Sequence, residues 1–370
     1  MKKTWISIGA VAFATCLAAV FFACRPHGET KQTVAIGAVL PLTGSASEFG
    51  RTFFNALTLA VEDANQSAGQ GDLKFELYVE DGQGDPKTSV TALERLLATK
   101  RPPVVFACLS AVTLALIPVT ERNGVLMFAD AAHPEITRRG NLVLRHSNIA
   151  SHEARAMARI IRGSPDSNRV AVIALNDDYG RAVASYLTTE LGQSPKISTR
   201  TEFYEGTATD VTPTVNAALE PSPEWMAVAG YGNSPGLVVR RLRERGFTRP
   251  IVTSLPFLLS RDGIAAVGDA TNNLFCVTYN LPNSEAISDF VKRYKAEFGT
   301  QPGLTVFQDY ASFQLLAAII RKTGPTPNAI KIEAVRMKEF DGLSGHLTIE
   351  TTGDIASPVT VTSFGNLSLP

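Results

Sequence analysis

Gly232-Asn233-Ser234-Pro235-Gly236 fits the G-x-S-x-G pattern of a nucleophile elbow, set between a strand-like and a helix-like run. Asp289 and His346 follow in the chain order of a hydrolase triad. Such a serine attacks an acyl group, and the backbone N–H of the next residue helps to hold the oxyanion. Pro235 has no N–H, and proline in the first turn of a helix is ordinary. Ser234 therefore reads as an N-cap, which leaves serine hydrolysis a remote alternative. No phosphate-binding loop, G-x-G-x-x-G or H-E-x-x-H pattern occurs, and His152-Glu153 stands alone at a helix start. The 5 His are scattered, and the 4 Cys (Cys16, Cys24, Cys108, Cys276) are too few for a disulfide framework or a cysteine-rich zinc module. No catalytic residue, cofactor or metal is expected.

Other residues with chemical potential follow short apolar runs. Ser110 comes just after Val104–Cys108, at a helix start where free N–H groups and the helix dipole favour an anion; a plain N-cap role is compatible. Asp130 and His133 follow the run through Phe128. Asp130 can accept from a ligand ammonium or cap the helix after Pro134. His133 can bond a ligand carboxylate or be a surface-loop histidine without a ligand role.

The elements that must position these residues alternate. Val34–Leu40, Val104–Cys108, Val125–Phe128, Val170–Leu175, Trp225–Ala229 and Ile251–Thr253 read as buried strands, with helix-like segments between them. Asp85-Pro86 opens one helix, aspartate as N-cap and proline at the first helical position. Repeated strand–helix units imply parallel sheets covered on both faces, with ligands outside the carboxyl ends of the strands. The last third changes rhythm: helices near 284–298, 305–322 and 327–338, a glycine-rich corner at 341–345, and strands at 346–350 and 358–364. At 370 residues the chain exceeds a single core, so two domains are expected. Apolar residues at 45% and charged residues at 19% exclude disorder, and 35 basic against 35 acidic residues give no bulk attraction to nucleic acid.

Met1-Lys2-Lys3 precedes an uncharged apolar stretch from Trp5 to Ala23, read as a secretory signal or a retained anchor. Phe21-Phe22-Ala23-Cys24 resembles the lipobox of bacterial lipoproteins, which implies lipidation at Cys24; Phe21 departs from the usual Leu or Val. Residues 25–32 look like a tether. Without Lys2 and Lys3 the chain carries 33 basic against 35 acidic residues, a charge near −2. Either route is extracytoplasmic, in the periplasm or on the outer face of the membrane.

Ile36-Gly37-Ala38-Val39-Leu40-Pro41-Leu42-Thr43-Gly44 resembles the opening of the type I periplasmic binding proteins of the leucine/isoleucine/valine-binding branch. Phe49-Gly50, Glu62–Asn65, Glu80-Asp81, Asp85-Pro86, Pro134–Thr137, Asp178-Tyr179-Gly180, Tyr310-Ala311 and Phe340–Gly345 match in order over about 33–364. The resemblance implies an α/β fold of two doubly wound parallel-sheet lobes with a three-crossing hinge. The crossings are expected near 146–150, 279–283 and 341–345, with 33–147 plus 282–341 as lobe one and 148–281 plus 342–370 as lobe two. It also implies a monomer that captures a small ligand and delivers it to the permease subunits of an ABC importer, held to the membrane by the N-terminal lipid. A ligand-sensing receptor domain is the alternative.

The expected ligand residues are Phe49, Ser110, Asp130, Ala131, Ala132, His133, Tyr179, Tyr231, Pro256 and Phe257. Ala131, Ala132 and His133 fall in the loop where relatives bond the ligand through the backbone. Tyr179 matches an aromatic that covers it. The amino-acid-binding members carry a Glu after the strand matching Ile251–Thr253, whereas this chain reads Ser254-Leu255-Pro256-Phe257. Unless Asp130, Asp178 or Asp309 substitutes, an unpartnered ammonium would be costly to bury, and a carboxylate or neutral ligand is expected to bind better than its α-amino analogue. Some relatives bridge the Cys108 site to a Cys preceding Asp-Pro; Gly84 stands there, so Cys108 is expected as a free buried thiol.

Overall fold

The computed structural model describes residues 33–69, 73–147 and 149–367. The signal stretch and Cys24 lie outside them. Strands β1 (Thr33–Leu40), β2 (Lys74–Asp81), β3 (Val104–Cys108), β4 (Leu126–Asp130) and β5 (Val143–Arg145) form a parallel sheet in the order β2-β1-β3-β4-β5. β3 and β4 are buried along their whole length, as unbroken apolar runs in a doubly covered sheet should be. The helix Ser47–Gln66 and the helices Glu285–Phe298 and Val306–Thr323 cover one face, through Phe53, Leu57, Tyr294, Phe307 and Phe313.

A second sheet holds β6 (Arg169–Leu175), β7 (Ser198–Tyr204), β8 (Trp225–Ala229), β9 (Ile251–Thr253) and β10 (Leu274–Tyr279), all parallel. Its core runs from Met157 and Ile161 of the helix Ala150–Arg162 through Val172, Val228 and Phe257. The chain then returns to lobe one, where β11 (Glu339–Gly342), β12 (Gly345–Ile349) and β13 (Ile355–Ala356) form a small antiparallel sheet. Finally β14 (Val359–Ser363) adds antiparallel to β10, giving the second sheet the order β14-β10-β9-β8-β6-β7.

The chain therefore passes between lobes at 146–149, 280–284 and 357–358. The last passage differs from the expected 341–345. That glycine-rich corner is the β11–β12 hairpin, which Gly345 turns at a φ of 96°, and Leu347, Ile349 and Ile355 pack into the lobe-one core. Only the β14 segment crosses to lobe two. Cys108 and Cys276 are buried free thiols, and among the described residues no helix is long and apolar enough to cross a membrane.

Candidate functional site

The carboxyl ends of both sheets face one cavity of about 510 Å³ between the lobes, within the range of small-molecule sites. Residues 44–49, Arg51, 109–110, 130–132 and Thr305 line it from lobe one. Glu153, Tyr179, 231–233, Leu255, Pro256 and 259–262 line it from lobe two, with Ser147 and Tyr279 at two of the passages. The mouth is bridged, because Arg261 N donates to Glu48 Oε1 across the cleft at 3.2 Å. The two lobes are thus in direct contact across the cleft.

On the lobe-one wall, β3 ends in Leu109 at a φ of 70°, and the helix Ser110–Arg122 starts without any side-chain cap. The N–H groups of that first turn have no partner within the helix. Ser110 is buried and lines the cavity beside them. On the lobe-two wall, Asp177 caps the helix Asp178–Gly192 by accepting from Gly180 N at 2.8 Å. A Cβ on Gly180 would lie 2.1 Å from Leu175 O, so glycine is what lets this helix begin against the end of β6. Tyr179 is thereby fixed beside Tyr231 with ring centroids 6.2 Å apart, and Tyr231 Oη donates to Asp177 Oδ2 at 2.6 Å.

Glu153 changes the electrostatic picture. Its Oε2 accepts from Tyr179 Oη at 2.9 Å and from Leu255 N at 2.9 Å. The loop after β9 carries no carboxylate of its own, yet its backbone holds one lent by the helix Ala150–Arg162. Burial pushes the Glu153 carboxyl up to about 7, against the pull of its two donors. Sequence reasoning passed over it as a residue at a helix start. The available signal was its register: Ala150, Ala154, Met157, Ala158 and Ile161 form the buried stripe, and Glu153 lies on that stripe.

A second acidic group lies across the cavity. Asp130, at the end of β4, is pushed up to about 7 by burial and by the nearby charge of Asp309. It meets His146 and Asp309, with ligand-type atoms of all three within 4.8 Å of one another. His146 Nε2 and Asp309 Oδ1 are 3.1 Å apart. Burial also holds the Asp309 carboxyl well above its ordinary value and lowers the His146 imidazole. Asp130 Oδ2, Asp309 Oδ2 and His146 Nδ1 are buried without partners. Each such group costs about 1–3 kcal/mol.

Of the residues expected at the ligand, the cavity brings together Phe49, Ser110, Asp130, Ala131, Ala132, Tyr179, Tyr231 and Pro256. His133 and Phe257 are not on its wall. His133 Nδ1 accepts from Glu135 N at 3.2 Å and its carbonyl accepts from Arg145 Nη1, which turn the residue into its own loop. Phe257 is fully buried in the lobe-two core against Phe364, because the short 3-10 turn Leu255–Leu259 points Pro256 outward and Phe257 inward. The serine constellation does not assemble. Ser234 Oγ bonds Tyr204 and Tyr231, Asp289 pairs with Lys292, and His346 pairs with Asp341. Ser234 is the first residue of its helix; Asn233 occupies the cap position without a capping bond, its Oδ1 accepting instead from Ser260 Oγ at 3.1 Å.

Comparison with known proteins agrees with this architecture. The family described as "Periplasmic binding protein" matches residues 33–365. The Leu/Ile/Val-binding protein homolog 3 of Brucella melitensis is 26% identical over 357 residues, covering 95% of this chain and 94% of its own. A leucine binding protein from Thermotoga maritima superposes with a TM-score of 0.80 at 24% identity, over 91% of this chain and 97% of that one. A solute binding protein of an ABC transporter from Rhodopseudomonas palustris, solved with 3,4-dihydroxybenzoic acid, superposes with a TM-score of 0.77 at 18% identity, over 90% and 93% of the two chains.

Proposed function

The chain belongs to the periplasmic binding protein family, and from that premise we propose that it captures an amino-acid-like solute between its lobes and passes it to the permease subunits of an ABC importer. The observation that carries this reading is the pairing of opposite poles across one cavity: the uncapped helix start at Ser110, and the Glu153 carboxyl whose two bonds both fall on Oε2. A ligand carboxylate suits the first. A ligand ammonium suits Glu153 Oε1. Leu255, Pro256, Leu259, Phe49 and the two tyrosines surround an aliphatic or aromatic body.

On this reading the ammonium partner comes from the helix Ala150–Arg162, against the expectation drawn from Leu255-Pro256. Calorimetry with leucine and 4-methylpentanoate tests it. Leucine should bind about ten- to a hundredfold more tightly, the worth of a charge-assisted hydrogen bond of about 1.5–3 kcal/mol, and Glu153→Gln should erase the difference. Equal or tighter binding of 4-methylpentanoate would sink the reading. It would favour the second one, in which a protonated Glu153 donates to a neutral or aryl carboxylate ligand, as its value near 7 permits.

The protein works outside the cytoplasm, on this reading tethered as a monomer through lipid on Cys24. A Cys24→Ser form should then leave the detergent phase for the soluble one. A wild-type protein already soluble after signal cleavage overturns the tether and leaves the solute reading standing.

A further inference from the structure

Three segments far apart in sequence meet beneath the cavity floor: the end of β4, the residue after β5, and the first turn of the helix Val306–Thr323. They bring Asp130, His146 and Asp309, 7%, 4% and 0% exposed. Three of their polar atoms have no partner, and among the described residues neither carboxylate has a Lys or Arg ion pair. The nearby Ser147 hydroxyl favours the Asp130 carboxylate electrostatically but makes no bond of good geometry. The rings of Phe53, Phe106 and Phe128, with centroids 5.5, 6.3 and 6.1 Å from that of His146, pack an apolar shell against the imidazole.

We propose that Asp130, His146 and Asp309 form a binding site for a divalent transition-metal ion, with zinc the best match, whose fourth coordination position opens into the interlobe cavity. The donor set decides the metal. One imidazole and two carboxylates suit zinc and its neighbours, whereas calcium takes six to eight oxygens and magnesium a mostly aqueous octahedron. His146 Nε2 and Asp309 Oδ1, joined by a hydrogen bond at 3.1 Å, need part by only about 0.3 Å to reach the roughly 3.4 Å separation of two ligands that each lie roughly 2.1 Å from a tetrahedral zinc. Asp130 offers a third ligand atom within 4.8 Å of the other two, so a side-chain displacement on the order of an ångström completes the set at that tetrahedral spacing. Because Asp130 also lines the cavity, a fourth ligand comes from water or from the captured solute. With water in the fourth position, metal binding in the absence of solute does not depend on which solute the cavity takes.

The test uses the untagged protein, stripped with a chelator and titrated with zinc chloride in the absence of solute, with bound metal counted by mass spectrometry. One zinc per chain is expected. Asp309→Asn and Asp130→Asn should each weaken it at least tenfold, while His346→Gln, which removes the exposed His346–Asp341 pair, should leave it unchanged. Failure to bind zinc overturns the site, as does an affinity untouched by both aspartate variants or abolished by His346→Gln. If Asp309→Asn does not fold, Asp130→Asn at the cavity wall decides the matter alone: a tenfold loss supports the site, and an unchanged affinity overturns it.

Discussion

Arg145 and His146 are neighbours in sequence, both almost fully buried, and they meet opposite fates. Arg145 Nε and Nη2 bond Asp354 Oδ1 at 2.8 and 2.6 Å, and Nη1 reaches the His133 carbonyl. Asp354 also accepts from Thr137 and Thr352 hydroxyls, at 3.2 and 2.8 Å. His146, one residue on and so directed to the other face, joins two acids in a cluster with three unpartnered atoms, its own Nδ1 among them. Both clusters tie β5 to distant chain, yet only the first is saturated. A saturated buried network specifies one structure; an unsaturated one holds capacity for something not yet bound.

The contrast makes measurable claims. The largest effect is expected at Asp354: Asp354→Ala strands a buried guanidinium and should cost about 3–5 kcal/mol in denaturant unfolding. Asp309→Asn in metal-free protein, by contrast, should cost less than about 1 kcal/mol, because it removes a carboxylate without a cation partner. Equal costs would erase the distinction between the clusters.

Glu153 provides the next step. Its folded carboxyl keeps a proton up to about pH 7, while the unfolded one releases it near 4.5. Between those values the native state binds more protons, so this group's contribution falls as pH rises and is flat above about 7. Urea unfolding of Glu153→Gln and wild type should agree near pH 4. By pH 8 the variant should be more stable by up to about 3 kcal/mol, even though it binds leucine worse. A variant less stable than wild type at pH 8 would make Glu153 a structural acid like Asp354. The smallest effect is expected at His133→Ala, where ligand affinity should move by less than about 0.5 kcal/mol, since the ring lies off the cavity wall.

The lobes were legible because their strands are unbroken apolar runs, such as Val104–Cys108, and because the segments between them carry plain start signals, such as Asp85 capping through Thr88 N at 2.7 Å. The loops after those strands led to Ser110, Tyr179 and Tyr231. What stayed hidden depends on contacts between distant elements. Phe257 and Pro256 are adjacent, and only the 3-10 turn decides which faces the cavity. The last passage moved because β13 is two residues long and gives no periodic signal. Glu153 and His146 look ordinary in sequence; their weight comes from Leu255, 102 residues away, and from Asp309, 163 residues away.

Glu153, Tyr179 and Leu255 all belong to lobe two, so the bonds that orient this acid exist before the lobes meet. On the proposed reading, a solute can therefore dock on a half-site that lobe two supplies by itself. The arrival rate is then a property of lobe two, and the residence time a property of the Ser110 wall and the Glu48–Arg261 bridge. On the importer reading proposed above, delivery would need only the second to be loosened, which would release the grip without dismantling the part that recognises the cargo.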